Sequence, residues 1–161
     1  MKERLMLFGI SILMAITFLS CSQQQQHKDE DDIRVAPMED GKSVGITRYT
    51  GTKQVFRIPQ RFDVFPITAI GDTTFANKEL ISVTIPDTIT SIGNGAFANY
   101  LLINAAIGSS VGTIGDGVDL EDNWQSDAFD RNFVYLYLRN NKRGGTYTRP
   151  NSTSSNWTRQ P

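Results

Sequence analysis

Few residues in this chain have side chains suited to covalent, metal or acid–base chemistry. Across 161 residues there is one cysteine, Cys21, and one histidine, His27. A lone cysteine cannot form an intrachain disulfide. A structural zinc site needs a full set of N or S ligands, and a Ser–His–Asp triad would have to use His27. Asp116-Gly117-Val118-Asp119-Leu120-Glu121-Asp122 gathers carboxylates of the kind calcium takes. It lacks the D-x-D-x-D-G register of an EF-hand loop and reads as a solvated insertion. Gly93-x-Gly95-x-x-Ala98 fits a loose dinucleotide fingerprint. That motif works where a strand leads into a helix N-terminus inside a βαβ unit, and no long helical segment follows here. No catalytic residue, metal site or cofactor is expected, and the chain does not read as an enzyme.

Cys21 is the residue whose surroundings point to a reaction. Lys2 and Arg4 form a basic start, and Leu5 to Leu19 is a 15-residue run without charge. A membrane-spanning helix needs about 20 apolar residues, so the run fits the core of a secretory signal instead. Phe18-Leu19-Ser20-Cys21 then resembles a bacterial lipobox, with Phe18 where Leu is usual. Residues 1–20 are expected to be a lipoprotein signal peptide, and Cys21 the lipidated residue. The alternative is an ordinary signal peptide with a chance cysteine near its cleavage site. A lipidated Cys21 implies a membrane partner through its anchor. It also implies a bacterial envelope location, at the outer membrane or cell surface.

Residues 21–41 read as a polar tether. Four consecutive Gln and a run of charge precede Ile33. Such a segment buries too little apolar surface to offset its ordering entropy, and His27 lies solvated within it. Charge is uneven although the net is only -1. Residues 28–41 carry six acids, whereas 131–161 carry Arg131, Arg139, Lys142, Arg143, Arg149 and Arg159 with no acid. The basic stretch interleaves Arg with Tyr135, Tyr137, Tyr147 and Trp157, a mixture that can bind single strands of nucleic acid. An export signal argues against nucleic acid as the partner. The aromatics are then expected to pack on the body, with the charges facing water.

A repeat organises the middle. Ile70, Ile92 and Ile114 are 22 residues apart, as are Gly71, Gly93 and Gly115. Phe75-Ala76-Asn77 recurs as Phe97-Ala98-Asn99, and Val83-Thr84-Ile85-Pro86 aligns with Ala105-Ala106-Ile107-Gly108. Val55-Phe56-Arg57-Ile58-Pro59 aligns too, but 27 residues before its partner, which places a five-residue insertion around Gln60 to Phe65. A fixed period of about 20–29 residues marks a leucine-rich-repeat solenoid. Each copy supplies a short strand with alternate residues inward, here Val83 and Ile85. One coil cannot bury its apolar edge alone, so stacking must supply the stability. Phe97 is expected to be buried between coils. Asn77 and Asn99 are expected to bond backbone amides in the turns.

Val83-x-Ile85-Pro86 followed by Ile92-Gly93-Asn94-Gly95-Ala96-Phe97 resembles the BspA-like class of leucine-rich repeats. Tyr49-Thr50-Gly51 before Val55-x-x-Ile58-Pro59 is similar to the opening coil of that class. The stretch from Phe129 onward is similar to a terminal module on some lipoprotein members. The resemblance implies a surface protein that adheres to host matrix or bacterial surface proteins. The third copy departs, with Gly108 for Pro86 and Asp119 for Phe97.

The expected fold is therefore a leucine-rich-repeat solenoid, mainly β with short turns. It has about three coils in residues 42–126, and residues 127–161 form its cap. Ser43 to Thr47 is expected to be the first edge strand. Phe129, Phe133, Leu136 and Tyr137 fall at i, i+4, i+7 and i+8, which predicts a capping helix after Asp127. The aromatic and branched residues of 133–138 would also suit a strand. Residues 146–148 and 157–159 are expected to pair as a hairpin. The expected binding face carries Phe56, Arg57, Arg61 and Phe62, because aromatics and Arg dominate many interfaces. The alternative is that Phe62 and Phe65 pack beneath their loop. Two functions follow: a surface binding or adhesion module, or a structural envelope lipoprotein with no dedicated ligand.

Overall fold

A computed structural model describes residues 30–98, 101–115, 133, 136–137, 139–141 and 143–161. Cys21, the acidic run and Phe129 lie outside the described residues. The second coil shows how the sequence folds. Ser82-Val83-Thr84-Ile85 forms a strand with Val83 and Ile85 buried and its other two residues half-exposed. Pro86 lacks an N–H and ends it. Ile89 turns back into the core, Ser91–Ile92 forms a second short strand, and Phe97 closes the coil.

In chain order the strands are β1 (Ile33–Pro37), β2 (Val44–Tyr49), β3 (Val55–Arg57), β4 (Arg61–Phe62), β5 (Phe65–Ile70), β6 (Ser82–Ile85), β7 (Ser91–Ile92), β8 (Asn104–Ile107), β9 (Thr113–Ile114), β10 (Gly145–Thr148) and β11 (Thr158–Arg159). Three coils carry β3 with β5, β6 with β7, and β8 with β9. Corresponding strands pair in parallel, so Phe56, Val83 and Ala105 face one another in turn, as do Ile70, Ile92 and Ile114. The register confirms the 22-residue period. The third coil pairs like the others despite Gly108. The extra residues of the first coil form β4, which folds back on β5 with Phe62 opposite Phe65.

Turns are bonded from coil to coil as well as strands. Gly71 N–H donates to Ile46 C=O at 2.8 Å, Gly93 to Ile70 at 2.7 Å, and Gly115 to Ile92 at 2.7 Å. Thr73 N–H donates to Asn94 C=O at 2.8 Å, and Phe75 N–H to Ala96 C=O at 2.8 Å. Backbone groups that one coil leaves unpaired are thus satisfied by its neighbour. This close stacking fixes Gly93: a Cβ there would lie 2.6 Å from Asp72 N. Asp72 instead accepts the Asn94 N–H at 2.8 Å, one repeat away.

Among the described residues one sheet runs β1-β2-β5-β7-β9, with β4 on β5, and the other runs β11-β10-β8-β6-β3. The antiparallel hairpin β1–β2 closes the first sheet at the N-terminal end. The antiparallel β10–β11 closes the second at the C-terminal end, as expected for residues 146–148 and 157–159. Each sheet thus has a cap at one end only among the described residues.

One expectation is corrected. β1 lies inside the stretch read as tether, and β2 is therefore not the outermost strand. Ile33 is buried and Val35 packs against the core, so this alternating pair is enough to dock a charged segment. The capping helix expected after Asp127 falls mostly outside the described residues and is not shown as an element. Isolated positions there, Phe133, Leu136, Tyr137 and Arg139, have helical backbone. The spacing of Phe133 and Tyr137 is accounted for by ring packing beneath the terminal hairpin.

The core is continuous through the coils and both caps. Tyr49 meets Phe56 at 4.7 Å between ring centres and Phe75 at 5.1 Å, and Phe75 stacks on Phe97 at 4.9 Å. Phe97 is 1% exposed, as its place in the repeat requires. A second aromatic group, Phe133, Tyr137, Tyr147 and Trp157, fills the C-terminal end. Arg149 is buried with it, donating from Nε to Leu102 C=O at 2.7 Å and from Nη1 to Ser154 C=O at 3.1 Å.

Candidate functional site

Residues of a solenoid strand that point outward are not committed to the core. Across the second sheet the register aligns Arg57 with Thr84, Thr84 with Ala106, and Ala106 with Thr146. This row lines a groove of about 810 Å³ that crosses β3, β6, β8 and β10. Its other wall follows the strand ends, where Pro59, Pro86 and Gly108 occupy the same place in successive coils. Gly108 is required there by close approach: a Cβ would lie 2.7 Å from Asp87 Cα. The floor therefore drops from two proline rings to bare backbone.

Two charged side chains line the groove. Asp87 accepts the Ser109 N–H at 2.6 Å and the Ser109 hydroxyl at 2.9 Å. Those donors hold its carboxyl below the usual aspartate range. Arg57 stands at the open end of the row, exposed. Arg159 flanks the other end, donating from Nη2 to Gly144 C=O at 2.9 Å. The lining supplies hydroxyls, backbone groups, one carboxylate and one guanidinium. These groups suit hydrogen bonds to a polar chain, and the lining residues pair no nucleophile with a base.

The four residues expected on one binding face are separated. Arg57 lines the groove. Phe56 is 1% exposed and belongs to the core, which corrects its assignment as a contact residue. Alternation explains this: in β3 the pattern is exposed, buried, exposed. Arg61 is exposed on β4, and its guanidinium donates to Val64 C=O. Phe62 is half-buried against the core and lines a different cavity of about 580 Å³ with Glu30, Asp31, Ile33, Arg34 and Val35. The alternative reading of the loop is half met, because Phe62 packs while Phe65 is 42% exposed. Sequence reasoning missed Pro86, Asp87, Gly108 and Thr146 as a surface. The repeat held the signal for the first three: the alignment that put Val83 inside also put Phe56 inside.

The fold matches known proteins in the repeat region. Residues 61–129 match the family described as BspA type leucine rich repeat region (6 copies). Over those residues the chain is thus similar to leucine-rich repeats of the BspA type. The leucine rich repeat protein of T. pallidum superimposes with a TM-score of 0.51 at 22% identity, over 52% of this chain and 40% of that one. A leucine rich cell surface protein of Faecalibacterium prausnitzii A2-165 is 32% identical with a TM-score of 0.46, over 52% of this chain and 25% of that one. A leucine-rich repeat protein of Bacteroides capillosus is 16% identical with a TM-score of 0.36, over 55% of this chain and 91% of that one. The T. pallidum structure supports the solenoid fold. The match spans less than half the length of the first two proteins. No curated protein matches the chain.

Proposed function

We propose that the chain is an envelope-anchored protein-binding module. In this reading lipid on Cys21 holds it at the bacterial surface, and its role is adhesion rather than catalysis. Its groove takes an extended stretch of a host matrix or bacterial surface protein. The observation that carries the reading is the groove itself, which crosses all three coils along outward residues such as Arg57, Thr84 and Ala106. Hydroxyls of Thr84 and Thr146 suit peptide amides, and Pro59 and Pro86 suit apolar side chains.

Panning a displayed peptide library against the protein tests the groove. Selected peptides should bind the Thr84→Arg variant at least tenfold more weakly. Stability should change little, since outward surface substitutions usually shift it by about 0.5 kcal/mol or less. Binders indifferent to Thr84→Arg would remove the groove from the reading. The anchor has its own test. Cys21→Ser should abolish labelling by radioactive palmitate and release the protein from the membrane fraction. Unchanged labelling would reject it.

A structural envelope lipoprotein without a ligand is the second reading. One observation favours it: no aromatic side chain lines the groove, and aromatics often dominate interface energies.

A further inference from the structure

The sheet β11-β10-β8-β6-β3 ends at β3, and no described strand pairs with its outer side. The bonds flanking β3 show which backbone groups face that side. Ser82 N–H donates to Gln54 C=O at 3.1 Å, and Ile58 N–H donates to Thr84 C=O at 3.0 Å. Successive residues of a strand turn their backbone groups to opposite sides. Gln54, Phe56 and Ile58 therefore face β6, and Val55 and Arg57 present N–H and C=O to the open side.

The next coil provides the comparison. Ser82 and Thr84, which align with Val55 and Arg57, bond back toward β3. Ile81 and Ile85 bond forward, accepting from Ile103 N–H at 2.9 Å and Gly108 N–H at 2.8 Å. Val55 and Arg57 thus stand where a coil bonds to the coil before it.

The side chains at this edge are also exposed. Val55 is 69% exposed, and the Arg57 guanidinium has no hydrogen-bond or ion-pair partner among the described residues. The inner side is already closed. Phe56 lies under Tyr49 at 4.7 Å, with Lys53 Nζ 5.7 Å from its ring centre. An arriving strand would find backbone donors and acceptors, an apolar surface and a cation, with little room for a large inward side chain.

We propose that β3 accepts an added strand from a partner protein. The strand runs parallel to β3, with an apolar residue opposite Val55, a small residue opposite Phe56 and a carboxylate opposite Arg57. Main-chain bonds supply the affinity, and alternate side chains supply the selectivity. This site uses the backbone edge of β3 and shares only Arg57 with the groove, so protection of the outward amides tells the two apart.

The probe is the end-blocked peptide Thr-Val-Ala-Glu-Thr, added to the full chain in detergent micelles. Amide exchange is followed residue by residue by NMR. Without peptide, the Val55 and Arg57 amides should exchange at least tenfold faster than those of Phe56 and Ile58. Saturating peptide should slow both at least tenfold. N-methylation of the central alanine should abolish that protection. Val55→Pro removes an outward donor and should weaken peptide binding at least tenfold without lowering the melting temperature. Arg57→Glu should reverse the preference from Glu to Lys in the peptide. If Val55→Pro fails to fold, the N-methylated peptide decides by the same measurement. Slow exchange at Val55 and Arg57 before peptide, or equal binding of the N-methylated peptide, would overturn the proposal. So would a peptide that binds but leaves both amides exchanging fast, because it would lie in the groove.

Discussion

In the coils, Phe75 and Phe97 stack with 4.9 Å between ring centres and 4° between ring planes. In the C-terminal cap, Phe133 meets Tyr147 and Trp157 edge-on, at 70° and 79°. Ring quadrupoles favour offset-stacked or edge-on pairs over a face-to-face sandwich. The coils impose a further constraint. Phe75 and Phe97 hold one position in successive copies, so the step from coil to coil carries one ring onto the next. The ring separation is close to the spacing of paired strands, about 4.8 Å. The cap is free of that step and mixes geometries: the two pairs above and Tyr137 with Tyr147 at 66° are edge-on, while Phe133 and Tyr137 lie parallel at 9° with 6.4 Å between ring centres. Repetition sets side-chain geometry in one region, and local packing sets it in the other.

The largest effects should separate these regions. Phe97→Ala should destabilise the fold by about 3–5 kcal/mol, the usual cost of emptying a buried aromatic site. Hydrogen exchange should then rise in all three coils. Trp157→Ala, on a side chain 7% exposed, should instead open β10 and β11 first and leave β6 and β7 protected. If it opened the coils to the same degree, the two clusters would be one cooperative unit.

Arg149→Ala should come next. It leaves the buried carbonyl of Leu102 without its donor and removes a cation held 5.0 Å from the Trp157 ring. A loss of about 2 kcal/mol by chemical denaturation is expected, because an unsatisfied buried acceptor adds to the lost charged bond. Arg149→Lys should recover little of it, since one ammonium does not reproduce the forked guanidinium. Full recovery would mean that charge alone matters there.

Alkaline pH should act on the cap before the coils. Burial first, then the nearby Tyr147, pushes the Tyr137 phenol up to about 12 from 10.0. A raised folded value means that the stabilisation is complete below the unfolded value near pH 10. It is lost as pH rises through 12. Near-ultraviolet circular dichroism should report loosening of the cap over that range. Tyr137→Phe should shrink this transition, leaving the part owed to Tyr147, whose phenol burial also pushes up, and cost about 1 kcal/mol for the bond from the hydroxyl to Val111 C=O, 3.1 Å long. An alkaline transition of the same size in Tyr137→Phe would assign it elsewhere.

The smallest effect lies in the coils. Thr73 has φ of 52° and Gly95, its counterpart one repeat later, has φ of 57°. A β-branched residue is strained in that conformation, and glycine is not. Thr73→Gly should stabilise by about 0.5–1 kcal/mol, and Gly95→Ala should destabilise by about 1 kcal/mol. A loss of stability in Thr73→Gly would mean that the Thr73 side chain contributes more than its backbone strain costs.

The coils were legible because each inward residue is written more than once. Ile70, Ile92 and Ile114, Val83 with Ile85, and Phe75 with Phe97 gave period, register and burial together. The insertion was legible from the 27-residue interval before Val83. The caps occur once, so their residues had to be read from composition. Ile33 and Val35 sit among acids and looked like tether, although two alternating apolar residues suffice to pair β1 with β2. Arg149 sits among exposed basic residues, and composition does not reveal the carbonyls waiting for it. The groove was missed for another reason. Arg and aromatic residues drew the reading toward Phe56 and Phe62, and small residues such as Ala106 and Gly108 form a surface with Thr84 only when three coils are superimposed.

The identical bonds from Gly71 to Ile46, Gly93 to Ile70 and Gly115 to Ile92 make the molecule a ruler. The upper rim of one coil fits the lower rim of the next by the same backbone contacts, so the count of coils is independent of the two end pieces. Duplicating a 22-residue unit within the gene should therefore lengthen the body by one graduation, about 4.8 Å, while both ends keep their own partners. Reach can thus change by copying alone, with no new side-chain invention.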